Sequence, residues 1–153
     1  MFGRSSIISF ESDLSSLKTG DYMFTNCSGL TSFISDLSAL QTGRYMFASC
    51  GLTNFNTDLS SLTNGFCMFA ECGFSTFTSD LSSLTKGTMM FDSCENLTTF
   101  TSDLPSLTIG SMMFELCPNL TTFTSDLSSL KTGDYMFYGC MGLTSFRSDL
   151  PSL

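Results

Sequence analysis

A chain of 153 residues with only 13% charged side chains, no His and no Trp holds few of the groups that catalysis and metal binding draw on. Its net charge is −8 and its six basic residues stand apart at Arg4, Lys18, Arg44, Lys86, Lys131 and Arg147, so no cluster exists to neutralise nucleic-acid phosphates. No apolar run reaches the roughly 18 residues that would suggest membrane insertion, and Met1-Phe2-Gly3-Arg4-Ser5 leads into no signal-peptide apolar region.

The chain repeats itself. An Asp-Leu pair recurs at Asp13, Asp36, Asp58, Asp80, Asp103, Asp126 and Asp149, a period of about 23 residues that loses one where Cys50 and Cys72 are followed by a single Gly. Repeats of this length form solenoids, in which each unit buries its apolar face only against its neighbours. The expected domain is therefore a single solenoid of about six and a half repeats, with units near 7–29, 30–51, 52–73, 74–96, 97–119 and 120–142 and a partial 143–153. It is in register by Ile7 and Phe10 and stops in mid-unit at Asp149-Leu150-Pro151-Ser152-Leu153. Solenoids normally carry polar caps, so the expectation is a piece of a longer array or ends that dock, including end-to-end self-association.

Within each unit the first predicted element is a short parallel strand over Leu-Thr-x-Phe-x-Ser-Asp-Leu, where Thr and Phe alternate with period two. Counting from Phe100, Ser102 and Leu104 share its inward side while Thr99, Thr101 and Asp103 face out. Leu104-Pro-Ser-Leu107-Thr-Ile-Gly110 follows, with apolar positions three apart that suit a tight or 3₁₀-like corner. The Gly at 20, 43, 65, 87, 110 and 133 then requires either a positive φ or a close approach between coils. Met113-Phe114-x-x-Cys117 reads as a short helical turn.

Stacking at about 4.8 Å turns each consensus position into a ladder. The predicted core ladders are Phe10, Phe33, Phe55, Phe77, Phe100, Phe123 and Phe146, then Phe24, Phe47, Phe69, Phe91, Phe114 and Phe137, with Leu14 to Leu150 and Leu17 to Leu153 between them. Positions that vary between copies are expected to face solvent. These are Asp21, Arg44, Phe66, Thr88, Ser111 and Asp134 after the Gly, and Thr25, Ala48, Ala70, Asp92, Glu115 and Tyr138 after the second Phe.

Met46-Phe47-Ala-Ser-Cys50, Met90-Phe91-Asp-Ser-Cys94-Glu-Asn-Leu97-Thr-Thr-Phe100 and Met136-Phe137-Tyr-Gly-Cys140-Met-Gly-Leu143-Thr-Ser-Phe146 together resemble the BspA-type leucine-rich repeat, over essentially the whole chain. Met replaces the family's Ala before the Phe, and Ser-Asp replaces an aliphatic-Pro pair after the strand. The resemblance implies a protein-interaction or adhesion module at a cell surface or secreted, without catalytic chemistry of its own.

Two columns invite chemical readings. Cys27, Cys50, Cys72, Cys94, Cys117 and Cys140 include no C-x-x-C pair and meet no His, so buried free thiols are expected rather than a zinc site, with disulfides between units as the rival. Cys67 stands outside that ladder, in the slot of Tyr22, Tyr45 and Tyr135, and is either a packing residue or a reactive thiol. The Asp column repels itself. It either accepts local backbone N–H groups, as in an Asx-turn or N-cap, or binds a cation such as Ca²⁺.

No catalytic or cofactor-binding residue and no metal ligand is assigned, and no cofactor is expected. The candidate partner surface is the outward strand column Glu11, Ile34, Asn56, Thr78, Thr101, Thr124 and Arg147, facing a protein or glycan ligand. The rival expectation is a structural spacer or fibre or virion component.

Overall fold

A computed structural model describes residues 1–150 of the chain. The strands are β1 (Ser9–Glu11), β2 (Ser32–Ile34), β3 (Thr76–Phe77), β4 (Thr99–Phe100), β5 (Thr122–Thr124) and β6 (Ser145–Arg147). All pair in parallel and in register, Phe on Phe, as β1-β2 and β3-β4-β5-β6. A parallel neighbour needs a long crossover, and here each crossover is one full coil. The fold is the expected repeat solenoid.

One coil lacks its strand. Asn54-Phe55-Asn56 occupies the strand slot between β2 and β3 without pairing to either. This coil alone is bounded by the two shortened corners, Cys50-Gly51-Leu52 and Cys72-Gly73-Phe74, and Asn is poorly suited to strands. The expectation of one strand per coil is corrected at this position.

The interior is a lattice of phenylalanine rings. Along the first ladder successive rings stack at 5.4 to 6.2 Å, including Phe33 to Phe55 at 6.0 Å and Phe55 to Phe77 at 6.2 Å. Along the second they stack at 5.4 to 5.7 Å. Across the two ladders they meet edge to face, as Phe77 and Phe91 do at 4.7 Å and 69°. Both arrangements satisfy the ring quadrupole, which disfavours eclipsed sandwiches. Phe2 extends the second ladder beyond its predicted start, stacking on Phe24 at 5.4 Å. The inner Leu columns are buried from Leu37 to Leu127 and from Leu40 to Leu107, whereas the predicted end of the second at Leu153 lies outside the described residues.

Past the strand slot, each coil turns at Leu-x-x-Leu, where the Leu107 N–H donates to the Leu104 carbonyl at 3.0 Å. A second ladder of single parallel bridges follows, Thr19, Thr42, Asn64, Lys86, Ile109 and Thr132. It runs unbroken past the coil that lacks a strand.

The next segment is not the short helical turn expected at Met113–Cys117; no helix occurs among the described residues. Two reverse turns follow one another instead, closed by Met113 N–H to the Gly110 carbonyl and, in the coil before, by Cys94 N–H to the Phe91 carbonyl. Each carries a left-handed residue at its third position, such as Tyr22 (φ 58°), Asn26 (φ 59°), Met112 (φ 57°) and Leu116 (φ 54°), the geometry of type II turns. For a non-glycine residue that conformation costs roughly 1–2 kcal/mol. The return is directional: the N–H of Tyr22, Asn26, Tyr45, Ser49, Met112 and Leu116 each donates to a carbonyl of the following coil at 2.8 or 2.9 Å. A helical turn would have pointed these groups along its own axis.

The Gly column has no positive φ. Close approach is its reason, since a Cβ on Gly65 would sit 2.8 Å from the Met90 sulfur of the next coil. The tighter squeeze is at the shortened corner, where a Cβ on Gly51 would collide with the Ser28 carbonyl oxygen.

All seven cysteines are free, and six of them form the predicted column. Each of these thiols donates to the carbonyl of a Phe in an earlier segment, as Cys50 does to Phe24 at 3.1 Å and Cys94 to Phe69 at 3.2 Å. Ser5 stands one place earlier in this column, within 3.5 Å of the Cys27 sulfur. Burial pushes the Cys50 and Cys94 thiols up to about 12.

Two outcomes follow from this packing. Gly51→Ala should cost about 1–3 kcal/mol in urea unfolding, because backbone must move, while Gly43→Ala, facing the flexible Met68 side chain at 3.0 Å, should cost distinctly less; equal costs would contradict the assigned close approach. The raised thiols bind protons in the folded chain that the unfolded chain releases above its ordinary value of about 8.5. Their stabilising contribution is full below that pH and is lost as pH rises towards about 12. Native protein near pH 8 should therefore resist iodoacetamide at Cys50 and Cys94 until it unfolds, and rapid labelling of native protein would refute the buried-donor assignment.

Candidate functional site

Strand alternation sends the Phe of each strand inward and the flanking residues out. Glu11, Ile34, Asn56, Thr78, Thr101, Thr124 and Arg147 are all exposed, Ile34 by 62%. Glu11 pairs directly with Ile34, and Thr124 with Arg147. Ile34 and Asn56 also share an open cleft of about 750 Å³ where β2 faces the strandless coil. The column is thus continuous in order along the coils, with a widened gap near its second and third positions.

Beside it runs the Asp column. Asp36, Asp58, Asp80 and Asp126 each accept the N–H two residues on, from Ser38, Ser60, Ser82 and Ser128, at 2.7 or 2.8 Å. At Asp13 the Ser15 N–H and hydroxyl both donate, at 2.9 and 2.6 Å. These are Asx-turns, the local role expected from the sequence. Hydrogen bonds from Ser38 and Ser128 hold the Asp36 and Asp126 carboxyls below the ordinary carboxylate value. Asp103 precedes Leu104-Pro105, and proline has no N–H to donate; Pro105 instead presets the φ of the same turn. Among the described residues no group of three His, Cys, Asp or Glu side chains gathers as a metal site.

The carboxyls' contribution is present above about pH 3.9 and lost as pH falls through their lowered values. Melting midpoints should accordingly drop on acidification but stay fixed when EDTA or Ca²⁺ is added; a rise with Ca²⁺ would restore the cation reading of this column.

Further around the coil, two positions expected to face solvent do not. Ala48 and Ala70 are buried, and with Cys67 they form a small apolar cluster covered by Tyr45, Phe66 and Met89. Small side chains here admit the neighbouring rings, which is the physical reason for the correction. Cys67 belongs to this cluster, 5% exposed, and burial pushes its thiol up. It is a packing residue, not an activated nucleophile, which would need a lowered value and access.

Against this cluster lies a shallow cleft of about 360 Å³. Tyr22 and Tyr45 stack at 5.0 Å, and Phe66 meets Tyr45 edge to face at 5.3 Å. Arg44 and Lys86 bring two of the chain's six basic residues to its rim. Asp21 accepts from the Arg44 backbone N–H and Nε at 2.8 and 2.9 Å and sits 2.8 Å from Nη2. The motif reading missed this cleft. Its signal was a column rule: Asp21 and Arg44 are one period apart, so opposite charges face each other across adjacent coils.

The family description of the BspA type leucine-rich repeat region matches residues 1–72 and 43–149, with 6 copies. No curated protein and no solved structure matches the chain. With the repeats matched over nearly the full length and stacked as parallel coils, the chain belongs to the BspA-type leucine-rich repeat family, whose members are generally non-enzymatic interaction modules.

Proposed function

We propose that the chain is a non-enzymatic binding module, acting in surface adhesion, that reads a protein or glycan partner along the outward strand column Glu11, Ile34, Asn56, Thr78, Thr101, Thr124 and Arg147. The observation that carries this reading is the contrast within each strand. The inward Phe is the same in every coil, while the exposed neighbour changes from Glu to Ile, Asn, Thr and Arg. Repeat proteins recognise partners on extended surfaces of this kind, and the 62% exposure of Ile34 beside a cleft supplies an apolar anchor.

A second reading, a spacer that associates end to end, draws on Phe146, 45% exposed at the last described coil. The two separate in solution. Light scattering across concentration should show a constant mass for the binding module and growth for the spacer. Ile34→Asp combined with Thr101→Glu should abolish capture of purified extracellular-matrix proteins or matrix glycans that the unaltered chain retains, with circular dichroism unchanged; undiminished capture would refute the column assignment.

A further inference from the structure

We propose that the aromatic cleft between Tyr22 and Lys86 is a second binding site, and that its ligand is an acidic oligosaccharide. Sugar recognition needs a flat apolar surface for the ring's C–H face and hydrogen-bonding groups around its edge. The cleft supplies both. Tyr22 is 50% exposed and held flat against Tyr45, so the platform is ordered before any ligand arrives, and two stiff rings lose little entropy on contact. Asn64, between the two cations, accepts the Phe66 N–H with its side-chain oxygen at 3.2 Å, which leaves its NH₂ group as a donor. Thr88 adds a hydroxyl to the lining.

The acidic character follows from the charges. Lys86 is exposed and joins no ion pair among the described residues. Asp21 fixes Arg44 through Nε and Nη2, leaving the remaining guanidinium N–H groups for a carboxylate or sulfate. Asn64 bridges to Thr42 on one side and Lys86 on the other. The residues bearing the cations are thus two coils apart, about 10 Å along the stack, a spacing suited to acidic groups on separate sugars of one chain. The rest of the molecule carries a strong negative excess, so a polyanion is repelled elsewhere and favoured here.

An extended acidic peptide is disfavoured by the backbone beneath. Such peptides bind by adding a strand to an open edge, but Thr42, Asn64 and Lys86 already bridge to coils on both sides. Only side chains remain to make contacts. The cleft lies elsewhere on the coil from the outward strand column, so either site can fail without the other.

The test is calorimetry on the full chain at low salt, with short oligosaccharides of hyaluronan and of heparin as probes, dextran as the neutral comparison and polyglutamate as the peptide comparison. At least one acidic saccharide should bind, with dextran and polyglutamate each about tenfold weaker or worse. Lys86→Gln and Tyr22→Ala should each weaken that binding about tenfold, the scale of one lost charged hydrogen bond or platform, while Lys131→Gln, at an exposed cation outside both the cleft and the outward column, should leave it unchanged. Lys86→Gln alters an exposed side chain and carries the test alone if removal of Tyr22 disturbs folding. Absence of binding to both acidic saccharides would overturn the proposal, as would equal affinity for dextran or polyglutamate, or binding indifferent to Lys86→Gln.

Discussion

Phenylalanine against phenylalanine, coil after coil, is the interaction on which this molecule depends. Rings stack along the axis at 5.4 to 6.2 Å and meet edge to face between the two ladders at less than 5 Å in several places. Such pairs contribute roughly 0.5–1.5 kcal/mol beyond the area they bury. The lattice also fixes register, because a slip by one residue would move every Phe to the outer face. Strands of two or three residues could not hold a sheet by themselves. They are held here by the rings beneath them.

Backbone bonding completes what the rings begin. Successive coils are tied together at the single bridges and at the left-handed turn residues, whose N–H groups aim the same way along the stack, and, on either side of the strandless third coil, at the strands as well. The cysteine column adds one thiol bond per coil to a Phe carbonyl that already accepts a backbone N–H: Phe69 takes both Cys72 N–H and Cys94 Sγ–H. A small polarizable side chain therefore does two jobs, filling the corner and using a second lone pair. This accounts for Cys rather than Ala at the position.

Period made the interior legible from sequence, since both Phe ladders, the cysteine column and the Asx-turns repeat with one residue type. The turn geometry was not legible, because its left-handed positions are filled by Arg, Tyr, Asn, Ser, Cys, Glu, Met and Leu, and among the described residues only Gly139 shows the residue usually associated with that backbone. Gly65 and its equivalents were legible as constrained positions, and of the two reasons the sequence offered they serve the second, room between coils rather than conformation. Phe2 and Ser5 were overlooked because Ser replaces Cys in the first partial copy. The outward column could be placed from strand alternation alone. The aromatic cleft could not, since it joins residues from separate columns whose relation depends on how the turns fold.

The strandless third coil gives the stack an asymmetric joint. On one side the bridges through Asn64 continue without interruption, and inside it the rings of Phe33, Phe55 and Phe77 stay stacked; on the other side no strand links β2 to β3. Resistance to bending is therefore unequal around the circumference at that level. Flexure is easiest in the direction that pries the unlinked side apart, with the bridged side as its pivot, so the two halves of the outward face can change their mutual angle while each keeps its own strand pairing.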